Sequence, residues 1–461
     1  MIQAVDFRLG PYPMTLAVPP LLCALLLGYH HRMFGSTRGY DRKRVVSWAL
    51  YDCANSAFAT TVMAGLFPVF FKQYWAGSLD ASVSTFHLGQ ANSVAAIIGG
   101  CFAPFLGYMA DKKRARKKFL FFFAAAGIIM TSALSLVPQG GWSVALLLYV
   151  IATLGFAGGN VFYDSLLVSV AGKEKMDVVS ALGYSLGYLG GGLLFAFNVW
   201  MTLRPETFGL AGTSEAVRIS FLSVAAWWAF FSIPLFLFVD EPQTKHDNGV
   251  RRGANGWQEF KSVLVEIAGQ RVVLLFLAGY WLYIDGVNTV IVMAVDYGLS
   301  LGFDKSALIL ALLITQFVGF PAAIVFGKVG ERLGTKRGIF IGLAVYIGVC
   351  IWGFYMDREA EFYVLAVAIG LVQGGVQSLS RSFYAKIIPP ESAARFFGFY
   401  DMLGKFAAVI GPFLMGLVSV ATGNPRIGIM AIILLFVLGA VFLYLAKENA
   451  TRGNNISASA A

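Results

Sequence analysis

Charge is what this chain has least of. Asp, Glu, Lys and Arg together make up 13% of its 461 residues, about half the share of an ordinary soluble domain and too little to coat several soluble domains with a polar surface. Cysteine is also scarce, and Cys23, Cys53, Cys101 and Cys350 all lie in apolar stretches. Neither a disulfide framework nor a spaced thiolate metal site is indicated. The histidines, His30, His31, His87 and His246, are scattered and form no ligand cluster. No Gly-x-x-x-x-Gly-Lys-Ser/Thr loop occurs, so ATP-driven pumping by this chain is unsupported. No His with Ser or Cys and no paired-acid motif converges as an enzyme's would. The expectation is therefore no catalysis, no cofactor and no metal.

What the chain does have is apolar length: 58% of it is hydrophobic and its mean hydropathy is +0.71. A bilayer core is crossed by about 20 apolar residues in a helix. Runs of that kind lie near 45–73, 87–110, 119–138, 142–171, 178–202 and 217–239, then near 272–297, 306–329, 338–356, 361–387, 395–421 and 427–446. The predicted fold is an all-α membrane protein with twelve transmembrane helices.

Lys and Arg orient such a protein, because cytoplasmic loops hold the excess. Twenty-five of them fall in the connections on one side and six on the other. Both ends of the helical body are then cytoplasmic, and the net charge of +10 reports topology rather than a nucleic-acid partner. The longest polar connection follows the sixth run and divides the body into an N-terminal bundle over 41–240, a linker over 241–271 and a C-terminal bundle over 272–447. The linker is too short for a catalytic module and is expected to lie partly as a helix on the membrane surface. Residues 448–461 read as a tail. Residues 1–40 fit the scheme poorly: the apolar stretch Met14 to Tyr29 is short and interrupted by Pro19-Pro20. An extension outside the functional body, with Met33 as an alternative start, is one reading, and an interfacial or extra helix is the other.

The two halves repeat each other. After the second run stand Gly107, Asp111 and Arg116, and after the eighth stand Gly327, Glu331 and Arg332, each a glycine, an acid four residues further on and a basic cluster. Asp52 and Asn55, followed by Ser56, match Asp285 and Asn288, followed by Thr289, and each set shares one helix face. Runs five and eleven align through Gly187 and Gly404, which sets Tyr188 against Lys405.

An ionised side chain within the bilayer costs about 2.5–3.5 kcal/mol on insertion scales, so the charges inside the runs mark pairs, an interior or a water-filled route. Away from the ends of the runs the candidates are Asp52, Asp164, Asp285, Arg381, Asp401 and Lys405. Asp52, Asn55, Asp164, Asp285, Asn288 and Arg381 are candidates for binding substrate or protons, with helix-end hydrogen bonding the other role open to Asp52 and Asp285. Arg381 suits either a substrate anion or an acid that gates transport. Asp401 and Lys405, four apart with the acid first, are expected to form a structural ion pair. The glycines of run five, Gly183, Gly187, Gly190, Gly191 and Gly192, allow close packing or bending.

Together, Ser47-Trp-Ala-Leu-Tyr-Asp-Cys-Ala-Asn-Ser-Ala-Phe58, Gly183-Tyr-Ser-Leu-Gly-Tyr-Leu-Gly-Gly191, Asp285-Gly-Val, Gly374-Gly-Val-Gln-Ser-Leu-Ser-Arg381-Ser and Phe396-Phe-Gly-Phe-Tyr-Asp-Met-Leu-Gly-Lys-Phe406 resemble a subgroup of the major facilitator superfamily related to the autophagy-associated vacuolar amino-acid effluxers. The resemblance covers about residues 45–446. It implies two pseudosymmetric six-helix bundles around a central site, with the acid-and-basic loops as structural gates. It also implies secondary transport of a small polar, amino-acid-like solute by alternating access, with protons as a candidate coupling partner. The lipid bilayer is the remaining partner, and a monomer in a bacterial cytoplasmic membrane is expected. Tryptophan stands in the family pattern where this chain has Cys53, a change expected to alter cavity size. The alternatives are proton-driven export of a drug-like or anionic solute, and a non-transporting sensor or scaffold with the same fold.

Overall fold

A computed structural model describes residues 41–241, 256–407 and 410–446. The expected extension 1–40, most of the polar part of the linker and the tail 448–461 lie outside those residues. Within lipid every backbone N–H and C=O needs an internal partner, and a helix supplies one for each. Among the described residues twelve helices are long and apolar enough to cross a membrane: Arg42–Trp75, Val83–Lys113, Arg116–Leu134, Trp142–Val170, Met176–Leu203 and Thr213–Phe238 in the first half, then Arg271–Ala294, Leu310–Leu333, Thr335–Tyr355, Glu359–Ile387, Pro390–Thr422 and Arg426–Leu445. They are called spans one to twelve below and agree with the twelve apolar runs to within several residues at each end.

Two spans are irregular. Span one widens to π-helix over Phe58–Leu66 and Phe71–Trp75, on either side of a short α-helical segment containing Pro68. Span eleven runs as Ala393–Phe406 and Ile410–Thr422, on either side of 408–409. Several connections turn on a glycine in the left-handed region, among them Gly140, Gly209, Gly302, Gly334 and Gly423, where a side chain would be strained. In the linker, Gly256–Gly269 is helical.

Large apolar side chains such as Phe121, Phe122, Phe230, Leu237, Val325 and Val420 point outward, the reverse of a soluble protein and the arrangement lipid requires. Across the two halves, span two packs on span eleven and span five on spans eight and ten.

Each half also closes its own last span with a lysine from the first turn of its third. Lys117 Nζ donates to the carbonyls of Phe236 and Val239 at the end of span six. Lys336 Nζ donates to those of Tyr444 and Ala446 at the end of span twelve. A cation there completes unsatisfied carbonyls and meets the negative end of the helix dipole.

Candidate functional site

The two halves meet at one arginine. Arg381 of span ten is 2% exposed, and its guanidinium reaches into the first half. Nη1 lies 2.9 Å from Asp164 Oδ1 of span four and 3.4 Å from Asp52 Oδ2 of span one. Nη2 lies 3.5 Å from the same Asp52 oxygen and 2.8 Å from the Ser180 carbonyl of span five, while Nε donates to Ser180 Oγ at 2.9 Å. A guanidinium has five N–H groups, and these contacts engage all of them. The Tyr184 ring covers the guanidinium at 4.3 Å and the Trp48 ring lies at 4.9 Å, a fit for a weakly hydrated planar cation. Tyr163 adds a hydroxyl donated to Asp52.

Span five makes this approach possible. A Cβ on Gly183 would stand 2.9 Å from Asp52 Oδ2 and 3.0 Å from Arg381 Nη2. Further along, Gly187, Gly190 and Gly191 face Ser56, Cys53 and Thr60 of span one, so the glycine stripe is the bed on which span one lies. Cys53 therefore points into the packing of its own bundle. It is 1% exposed, its Sγ occupies the place a Cβ on Gly190 would take, and Trp227 Nε1 donates to its carbonyl at 3.0 Å. The expectation that this position sets cavity size is corrected. Asn55 turns to span four, where its amide donates to Asn160 Oδ1.

Further contacts join the halves on the side of the basic loops. Asp111 accepts from the backbone N–H groups of Ala394 (3.3 Å) and Arg395 (2.9 Å) at the start of span eleven and from Arg116 Nε (2.9 Å). Arg116 in turn donates to the carbonyls of Pro390 and Glu391. Gly107 lets span eleven come this close, because a Cβ there would collide with the Ala394 carbonyl. In the other loop, Gly327 packs on Ala181 of span five, and Glu331 pairs with Lys175. Arg332 is exposed and makes no ion pair among the described residues.

Beside that loop lies a cluster the sequence reading missed. Asp177, in the first turn of span five and 1% exposed, accepts from Lys386 Nζ at 2.7 Å, from Thr335 Oγ1 at 3.0 Å and from Ser382 Oγ. All three donors belong to the second half. The available signal was an acid at a helix start just after Lys173 and Lys175, which resembles an ordinary first-turn residue.

Asp285 and Asn288 are not part of these contacts. Asp285 accepts from the backbone N–H groups of Ile410 (3.0 Å) and Gly411 (2.9 Å), and Asn288 donates to the Ala407 carbonyl at 3.0 Å. Together they hold span eleven at Ala407 and at Ile410 and Gly411, the helix-end role rather than one beside Arg381. By this packing Gly411, not Gly404, stands where Gly187 does: a Cβ on either would meet the acid and hydroxyl of the facing span.

Asp401 and Lys405 do not form the expected ion pair. Lys405 reaches away toward span four, where its Nζ lies 5.8 Å from the centre of the Phe156 ring, within cation–π range.

Residues 74–455 match the family described as "Vacuole effluxer Atg22 like". The chain is 38% identical over 411 residues to the MFS-type transporter YxiO of Bacillus subtilis (strain 168), an alignment spanning 88% of this chain and 95% of that one. It is 24% identical over 425 residues to autophagy-related protein 22 of Eremothecium gossypii, spanning 84% and 80%. Among solved structures, the major facilitator superfamily transporter FucP in the outward conformation superposes with a TM-score of 0.70 at 14% identity, over 89% of this chain and 100% of that one. The human organic anion transporter MFSD10 superposes at 0.67 and 15% identity, over 87% and 99%. Likeness at those identities establishes the fold.

Proposed function

Because this chain belongs to the Atg22-like family of major facilitator transporters, we propose that it moves a small polar, amino-acid-like solute across a bacterial cytoplasmic membrane by alternating access, with both ends of its helical body in the cytoplasm. In this reading 41–240 and 272–447 are the moving bodies and 241–271 joins them.

The observation that carries the proposal is the Arg381 cluster. Rocking two bundles around a central site needs contacts that hold in one state and part in the other. Arg381 binds Asp52, Asp164 and Ser180 from the opposite half, and Asp111 and Asp177 add two more cross-half contacts on the basic side. These close that side and act as its gate. One guanidinium facing two carboxylates leaves one negative charge in excess, and a proton taken up by Asp52 or Asp164 removes it and loosens the hold on Arg381. That is the proposed route of proton coupling.

Purified protein in proteoliposomes tests this directly. Wild type is expected to show amino-acid counterflow and pH-gradient-driven uptake. Asp52→Asn and Asp164→Asn should keep counterflow and lose the response to the gradient. A pH-driven flux unchanged in both variants would remove proton coupling through these acids, and no counterflow with any amino acid would remove the solute class.

A further inference from the structure

With its N–H groups engaged, Arg381 offers nothing to a solute carboxylate in this arrangement. Lys405, in span eleven, is placed differently. Lys405 makes no hydrogen bond and no ion pair among the described residues, and neither does Asp401 one turn earlier on the same helix face. Every residue from Asp401 to Phe406 is partly exposed, yet this stretch faces the opposite half rather than lipid alone. Lys405 Nζ approaches Phe156 of span four, and a Cβ on Gly100 of span two would stand 3.7 Å from Lys405 Cβ and 3.2 Å from the Phe406 ring. An ammonium and a carboxylate thus stand one turn apart between the bundles, within each other's field but without a hydrogen-bonded counter-charge, and a charge in that setting is costly. They are near enough to belong to one ligand and too far apart to satisfy each other.

We infer that Asp401 and Lys405 are the seat for the charged head group of a compact zwitterion such as an α-amino acid. Lys405 takes its carboxylate, Asp401 takes its ammonium and the Phe156 ring forms a wall beside it. A dipolar ion laid antiparallel across the pair gives each side chain the charge-assisted hydrogen bond it lacks. The inference rests on the proposed transport of an amino-acid-like solute and moves head-group recognition from Arg381 to span eleven, leaving Arg381 to the gate.

The test measures binding of each of the twenty common amino acids to the purified full-length protein by calorimetry, followed by the decarboxylated and the deaminated analogue of the tightest one. Lys405→Gln is expected to weaken the amino acid roughly 10- to 100-fold, the scale of a lost charge-assisted hydrogen bond, and Lys405→Arg to restore most of it. The decarboxylated analogue should bind wild type and Lys405→Gln alike, and the deaminated one should be indifferent to Asp401→Asn. Restoration by arginine separates a lost contact from a misfolded variant.

Amino-acid affinity unchanged in Lys405→Gln overturns the seat while the transport proposal stands. If wild type binds no amino acid, the solute class falls and the deaminated acids decide the seat alone. Their binding, lost in Lys405→Gln, keeps Lys405 as an anion seat, and no binding of either class overturns it.

Discussion

Replacing Asp177 with asparagine gives the sharpest test of the gate. The side chain keeps its size, but the charge facing Lys386 at 2.7 Å disappears, and one of the two oxygens that accept from Thr335 and Ser382 becomes a donor. Removing one partner of a buried ion pair costs about 3–5 kcal/mol. Lys386 is 17% exposed and keeps its contact with Thr335, so a loss of about 2 kcal/mol is the appropriate scale here. All three donors to Asp177 come from the other half, so the loss falls on the closed arrangement and shifts the gate equilibrium by roughly 30-fold. A closed state favoured about 100 to 1 would then be favoured only about 3 to 1, raising the open population from near 1% to roughly a quarter. Spin labels at Lys113 and Arg332, both exposed on the basic side, report the opening as a second, longer distance in double electron–electron resonance. Glu174→Gln, an exposed change nearby, is the control. The same distance distribution in Asp177→Asn and wild type would refute the assignment of Asp177 to the gate.

Gly107→Ala places a methyl group against the Ala394 carbonyl, so the same labels should show the long distance and counterflow should slow while amino-acid binding persists; an unchanged rate speaks against this contact. Asp285→Asn loses one of the two side-chain acceptors of the Ile410 and Gly411 N–H groups. A capping loss of about 1–2 kcal/mol should lower the thermal midpoint with solute affinity retained, and a change in affinity alone would return Asp285 to the binding site. Lys117→Met and Lys336→Met each leave the closing carbonyls of a bundle's last span without their donor, for a loss of about 1 kcal/mol apiece. Since the two caps lie in different halves, thermal unfolding of the double variant should show the losses adding.

The spans were legible because membrane crossing is a local demand: twenty apolar residues and a basic loop read the same wherever they occur. The Asp111 loop was legible for a related reason, since its glycine, acid and basic cluster recur in the second half. Long-range pairing was not. Nothing in the periodicity around Arg381 says that it meets Ser180, Asp52 and Asp164, because partners hundreds of residues apart leave no local pattern. Asp177 was missed because it stands in a first turn, where an acid is ordinary. Asp401 and Lys405 were misread because spacing places two residues on one face without fixing where a long side chain goes, and the Lys405 ammonium lies toward the Phe156 ring instead.

The repeat itself is used asymmetrically, and this bears on how the gate would open. Asp52 and Asp285 occupy matching places, yet Asp52 reaches the other half while Asp285 holds a helix end in its own. Across the interface the buried acids come from the first half, Asp52, Asp164 and Asp177, and their cations from the second, Arg381 and Lys386. The reverse pair, Lys175 with Glu331, is about one-third exposed on each side and contributes little that salt would not screen. Raising ionic strength therefore acts on the least important contact. In the proposed cycle the effective trigger is one that neutralises the first half's carboxylates from within. A proton on Asp52 or Asp164 does this at the central site, and counterflow rates should consequently respond to pH far more than to salt. A rate that followed ionic strength instead would place the controlling contact at Lys175 and Glu331, and would remove the Arg381 cluster from control of the gate.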